Sequence, residues 1–119
     1  LYIASWGVMS DRPKERAEWI TKTAGDLYWV SLKDSKKSKH IVVPELGNLD
    51  GVEIDQKGNI YVSDWENGNL YKISSGTKTV IRLGQYDQGL ADIGLNLLTG
   101  ELVLPVMLSS EVLFFTPSL

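Results

Sequence analysis

The chain contains no cysteine, so it forms no disulfide and offers no thiolate to a metal. It has a single histidine, His40, which denies it a Ser-His-Asp triad of its own in any useful arrangement. Positive charge is not in excess: 12 basic residues face 15 acidic ones, and the net charge of −3 gives no electrostatic reason for a nucleic-acid partner. No apolar run approaches the ~20 residues that span a bilayer as a helix. No Gly-rich phosphate-binding loop occurs. Disorder is excluded too, because 43% of the residues are hydrophobic and 23% charged, an ordinary balance for a packed domain.

What is present is a repeat. Displaced by 42 residues, Gly58-Asn59-Ile60-Tyr61-Val62 falls on Gly100-Glu101-Leu102-Val103-Leu104, and Leu70-Tyr71-Lys72-Ile73 on Val112-Leu113-Phe114-Phe115. Upstream, Val52 and Ile54 meet Ile93 and Leu95 at an offset of 41, so the turn before Gly100 holds one extra residue. Leu1 to Trp6 matches Ile60 to Trp65 at an offset of 59, whereas Gly25 to Tyr28 matches Gly68 to Tyr71 at 43. An insertion of 16 residues between Trp6 and Gly25 accounts for the difference.

A period near forty with short alternating strands and Gly/Asn turns is the pattern of a β-propeller blade, a four-stranded antiparallel sheet. The reading is all-β: a partial blade over 1–43, with strands at 1–5, 26–32 and 39–43 and the insertion at 7–24; a complete blade over 49–83, with strands at 49–55, 60–64, 69–73 and 78–83; and a blade over 91–115, with strands at 91–96, 101–106 and 111–115. The first would lack its innermost strand and the last its outermost, so the expectation is one partial propeller domain, the closing three blades of a larger ring. A small irregular β-sheet domain is the alternative. Along 48–55, Val52 and Ile54 alternate with Glu53 and Asp55, suggesting a strand with its apolar face on the side of Val52 and Ile54.

The stretches GNLDGVEID, GNIYVSDWENGNLYKI and GLADIG followed by LVLPVMLSSEVLFF resemble the gluconolactonase / regucalcin-like (senescence marker protein) family of six-bladed propellers, in particular its bacterial exported members, with a looser likeness to NHL-repeat propellers. The resemblance covers nearly all of the chain but only the second half of the family fold. It implies a divalent cation at the mouth of the central channel (Ca²⁺, Mg²⁺, Mn²⁺ or Zn²⁺), held by a Glu, an Asn and the Asp of an Asp-Gly pair. Only the last maps here, onto Asp50; the other two would lie on blades preceding Leu1, so this chain alone is expected to be inactive. The implied activity is hydrolysis of a sugar lactone or similar small ester, in a periplasmic or secreted setting, with a cytoplasmic one left open.

In a blade, the turns that open the innermost strand and join the second to the third emerge at one end. That rim would carry Asp50 as metal ligand and catalytic carboxylate, with Asn48, Trp6, Trp65 and Asp92 as substrate-facing candidates. Each has a plainer reading. Asp50 could cap its own turn, with Gly51 permitting the bend. Asn48 is commonplace beside a turn, Asp92 could serve a turn, and the tryptophans could pack between sheets. Asp64 is expected to bond the turn that follows it. In the insertion, Asp11 could cap a short helix with Pro13 in its first turn. The lysine-rich run ending at His40 reads as a solvated hairpin turn. The competing functional reading is a non-catalytic propeller that binds a protein or small ligand on its rim; a third joins two copies of this half into one ring.

Overall fold

A computed structural model of the chain describes residues 1–9, 21–33 and 38–118. It is all-β, with antiparallel sheets and no α-helix among the described residues. Among the described residues no helix is long and apolar enough to cross a membrane. The chain divides into two compact units, Leu1–Leu49 and Asp50–Leu119.

The first unit is built on one long strand. β3 (Thr21–Val30) pairs along its second half with β1 (Tyr2–Ala4), along its first half with β2 (Gly7–Met9), and from Gly25 to Val30 also with β4 (Lys39–Gly47). The described ends of the expected insertion are therefore strands, Gly7–Met9 against Thr21–Ala24. The proposed Asp11 cap lies outside the described residues. β4 runs beyond the expected 39–43 because it accommodates Pro44 in a bulge, where a missing N–H does no harm. Asp26 fixes that bulge: its Oδ1 accepts the Glu45 N–H at 2.7 Å and its Oδ2 the Tyr28 hydroxyl at 2.8 Å. Glu45 itself adopts a left-handed φ of 46°. His40 stands opposite Trp29 in register, with the rings 5.3 Å apart, and has a structural setting.

The second unit contains two sheets. One is a meander, β5 (Leu49–Ile54), β6 (Ile60–Asp64), β7 (Asn69–Ile73) and β8 (Val80–Gln85), in that spatial order. The other has three strands, β9 (Gly94–Leu95), β10 (Leu102–Val106) and β11 (Glu111–Phe115), with β10 central. Strands 60–64, 69–73 and 111–115 stand where the repeat and its Gly/Asn turns put them. β8 begins later than expected because Ser74–Thr79 is consumed by a turn, closed by Ser74 N–H to Thr79 O at 2.9 Å with Lys78 at φ 58°. The expected strand 91–96 shortens to two residues, preceded by a lone bridge from Leu90 to Val106.

The core of this unit lies between its two sheets. Leu70, Leu90, Leu102 and Leu104 are fully buried there with Tyr61, Ile93 and Val106, and Leu83, Tyr86, Leu113 and Phe115 pack around them. Each such aliphatic side chain removed from water contributes about 1.5–3 kcal/mol. All five residues of β6 are buried, the mark of a strand covered on both faces.

Candidate functional site

The carboxylate end of β5 is positioned by a backbone approach. Gly51 has no left-handed φ. Its missing side chain is needed for another reason: a Cβ there would overlap the backbone nitrogen of Ile93 and lie 3.0 Å from the Asp92 Cα. Strand β5 and the segment entering β9 thus come together at one point, with Asp50 on one side and Asp92 on the other. The fully buried Ser63, on β6, clamps the junction. Its hydroxyl accepts the Gly51 N–H at 2.8 Å and donates to the Ala91 carbonyl at 2.8 Å. One hydroxyl therefore holds the residue after Asp50 and the residue before Asp92.

This alters the expected facing of β5. Leu49 and Gly51 are buried, whereas Val52 is half-buried and Ile54 is 39% exposed. Burial alternates only from Leu49 to Gly51, where the close approach puts the glycine inside; beyond it Val52 and Glu53 are equally half-buried, so the expected apolar face of Val52 and Ile54 is not the interior one.

Asp50 is open to solvent and accepts no hydrogen bond among the described residues, so the turn-capping reading finds no bond to support it. Partial desolvation raises its pKa above the usual carboxyl value, and the nearby charge of Asp92 raises it further. Glu53 is raised by the same two causes, desolvation first and then Asp92. The structure thus brings Asp50 and Asp92 together and adds Glu53, which the sequence reading treated only as the polar half of an alternating pattern. A carboxylate raised by a neighbouring acid favours proton uptake or a cation. Their oxygens suit Ca²⁺, Mg²⁺ or Mn²⁺. Among the described residues no group of three His, Asp or Glu side chains is close enough to hold a metal ion by itself.

The other candidates have different surroundings. Asn48 is buried in the first unit, where its amide NH₂ donates to the Trp6 carbonyl at 3.0 Å and to the Thr21 hydroxyl at 2.6 Å. That commitment ties the end of β4 to the β1–β2 segment and leaves the amide nitrogen for structure. Trp6 is half-buried in the same unit. Trp65 is half-buried in the second unit, and its carbonyl accepts the Gly89 N–H at 2.8 Å. Asp64 bonds the turn after it as expected, its Oδ2 accepting the Asn67 and Asn69 amides at 3.0 and 3.3 Å.

Compared with known protein families and with curated proteins, the sequence matches none.

Proposed function

We propose that the antiparallel sheets are blades of a β-propeller and that the end carrying Asp50 and Asp92 is its ligand end, with gluconolactonase-like hydrolysis of a sugar lactone or similar small ester as the activity of the assembled ring. The observation that supports this most is the state of Asp50: an accessible carboxylate, unused by its own turn, raised in pKa, and held beside a second acid by a buried serine.

The chemistry follows from that state. A divalent cation, when bound with Asp50 as one ligand, supplies a Lewis acid for the ester carbonyl. The chain's own part is to orient and to manage the proton. As water adds to the carbonyl carbon it must lose a proton, and a carboxylate raised towards the working pH accepts it better than an ordinary one. When the ring C–O bond breaks, the leaving oxygen takes that proton back, so the carboxylate is regenerated and no net proton is consumed in forming the neutral hydroxy acid. Ser63 acts through Gly51 and Ala91 and is a positioning residue.

A second reading has one observation in its favour. Met107 and Leu108, in the 3₁₀ turn between β10 and β11, are 60% and 61% exposed at the same end of the sheets. An apolar rim beside carboxylates also suits a non-catalytic binder of a small ligand or peptide. Calorimetric titration with Ca²⁺ and Mn²⁺, wild type against Asp50→Asn, tests the metal assignment, and hydrolysis of glucono-1,5-lactone by a chain carrying all blades tests the activity. Equal cation affinity in both proteins removes Asp50 as a ligand. Cation binding without lactone turnover leaves the binder.

A further inference from the structure

The opposite end of the second unit holds a cleft of about 540 Å³, between the turn following β5 and the turn following β9. That volume lies within the range of small-molecule sites, roughly 300–1,000 Å³. Its two walls are the same turn in two copies of the repeat, with opposite chemistry. In the first copy the positions after Asp55 are Gln56 and Lys57; in the second, the positions after Asn96 are Leu97 and Leu98.

Both turns are rigid. Asp55 Oδ1 accepts the N–H groups of Lys57 and Asn59 at 2.9 Å, and its Oδ2 accepts the Asn59 amide at 2.8 Å and the Tyr61 hydroxyl at 3.2 Å. Asn96 Oδ1 does the same for Leu98 and Thr99, at 3.0 and 3.3 Å. The Gln56 amide joins the walls by donating to the Leu97 carbonyl at 3.3 Å.

Charge and polarity are distributed unevenly. Asp55 is the sole acid lining the cleft among the described residues, and its carboxylate is occupied by the four bonds just given. Lys57 and Lys72 also line it, and neither ammonium is paired with a carboxylate among the described residues. Facing them are Leu95, Leu97, Leu98 and Pro117. Leu97 is 54% and Leu98 93% exposed, on a hairpin turn where polar residues are the norm. Two unpaired cations opposite an uncovered aliphatic wall call for a ligand with one anionic end and an apolar body.

We infer that this cleft binds a small amphipathic carboxylic acid, its carboxylate towards Lys57 and Lys72 and its hydrocarbon part against Leu95, Leu97, Leu98 and Pro117. The site lies at the far end of the strands from Asp50 and rests on none of the chemistry proposed there, so the cation titration does not bear on it.

The test is an amide ¹H–¹⁵N NMR titration of the chain with octanoate, with 1-octanol and propionate as probes of the apolar and anionic halves alone. Octanoate is expected to move the amides of Lys57, Leu97, Leu98, Gly100 and Thr116 saturably, at lower concentration than either control. The double variant Lys57→Gln/Lys72→Gln should weaken octanoate about tenfold, as two partly exposed ion pairs would, and leave octanol unchanged. Leu98→Ser, at a solvent-facing position that folding does not need, should weaken both. Octanoate shifts that are absent, that centre instead on the exposed Val112 and Phe114, or that are identical in the lysine variant overturn the inference.

Discussion

The strand β5 has an aspartate at each end, and the two differ in every respect that matters. Asp55, past its C-terminal end, spends both oxygens on four donors. Burial would push its pKa up, but the bonds from the Asn59 side chain, the Asn59 and Lys57 backbone and the Tyr61 hydroxyl outweigh this and hold it below the usual value. In return the Tyr61 hydroxyl, desolvated and facing that charge, is pushed up to about 12. Asp50, near the start of β5, has no such partners among the described residues, and its pKa is raised. Asp55 is thereby explained by the turn it builds. Asp50 is not explained by any local structure: it is a solvent-open, partly desolvated carboxylate beside another acid, the kind of perturbed group that marks a candidate functional site.

The largest effect should come from breaking the approach that sets Asp50 beside Asp92. Gly51→Ala places a methyl group into the Ile93 backbone and should cost about 3 kcal/mol in urea denaturation. Ser63→Ala leaves the Gly51 N–H and the Ala91 carbonyl buried without their shared partner; about 2 kcal/mol is expected, together with a changed Asp50 titration if the hydroxyl sets the spacing of the acids. Asp55→Ala removes the four-donor cap and should cost about 1.5 kcal/mol. Asp50→Asn should leave stability at neutral pH within about 0.5 kcal/mol of wild type, since it deletes no hydrogen bond.

The pH dependence of these two aspartates has opposite sign. Asp55, lowered in the fold, contributes stability above the ordinary carboxyl range, and that contribution disappears as pH falls through its lowered pKa. Asp50, raised in the fold, takes up its proton more readily folded than unfolded. Wild type should therefore gain stability relative to Asp50→Asn as pH falls from neutral through the raised pKa, the gain being complete only below the ordinary value of about 3.9. Parallel denaturation series across pH 3–7 would show it; a constant difference between the two proteins would mean that Asp50 is unperturbed.

Much of the strand order was legible because its signals are local. Asn67-Gly68-Asn69 and Lys57-Gly58-Asn59 mark hairpins wherever they occur, and Gly58 and Gly68 do take positive φ. What was not legible depended on contacts distant in sequence. Nothing in Gly51 distinguishes a bend from a close approach until Ile93 is known to lie against it. Asn48 looks like a turn residue and is instead an anchor, because Thr21 comes from the far side of the insertion. Glu53 and Ser63 were missed as members of the Asp50 neighbourhood. Ser63 did carry a signal, being a hydroxyl at a position that holds Ala4 and Pro105 in the other two copies of the repeat. β2 was missed because Gly7–Met9 is too short to show a period.

The contrast between the two ends of β5 can be read in one measurement: side-chain carboxyl ¹³C shifts of Asp50 and Asp55 during a Ca²⁺ titration at neutral pH. Movement of the Asp50 signal with Asp55 unmoved is the outcome expected of one open and one fully occupied carboxylate. A still Asp50 signal, or equal movement of both, would contradict the assignment of Asp50 to a ligand-bearing end.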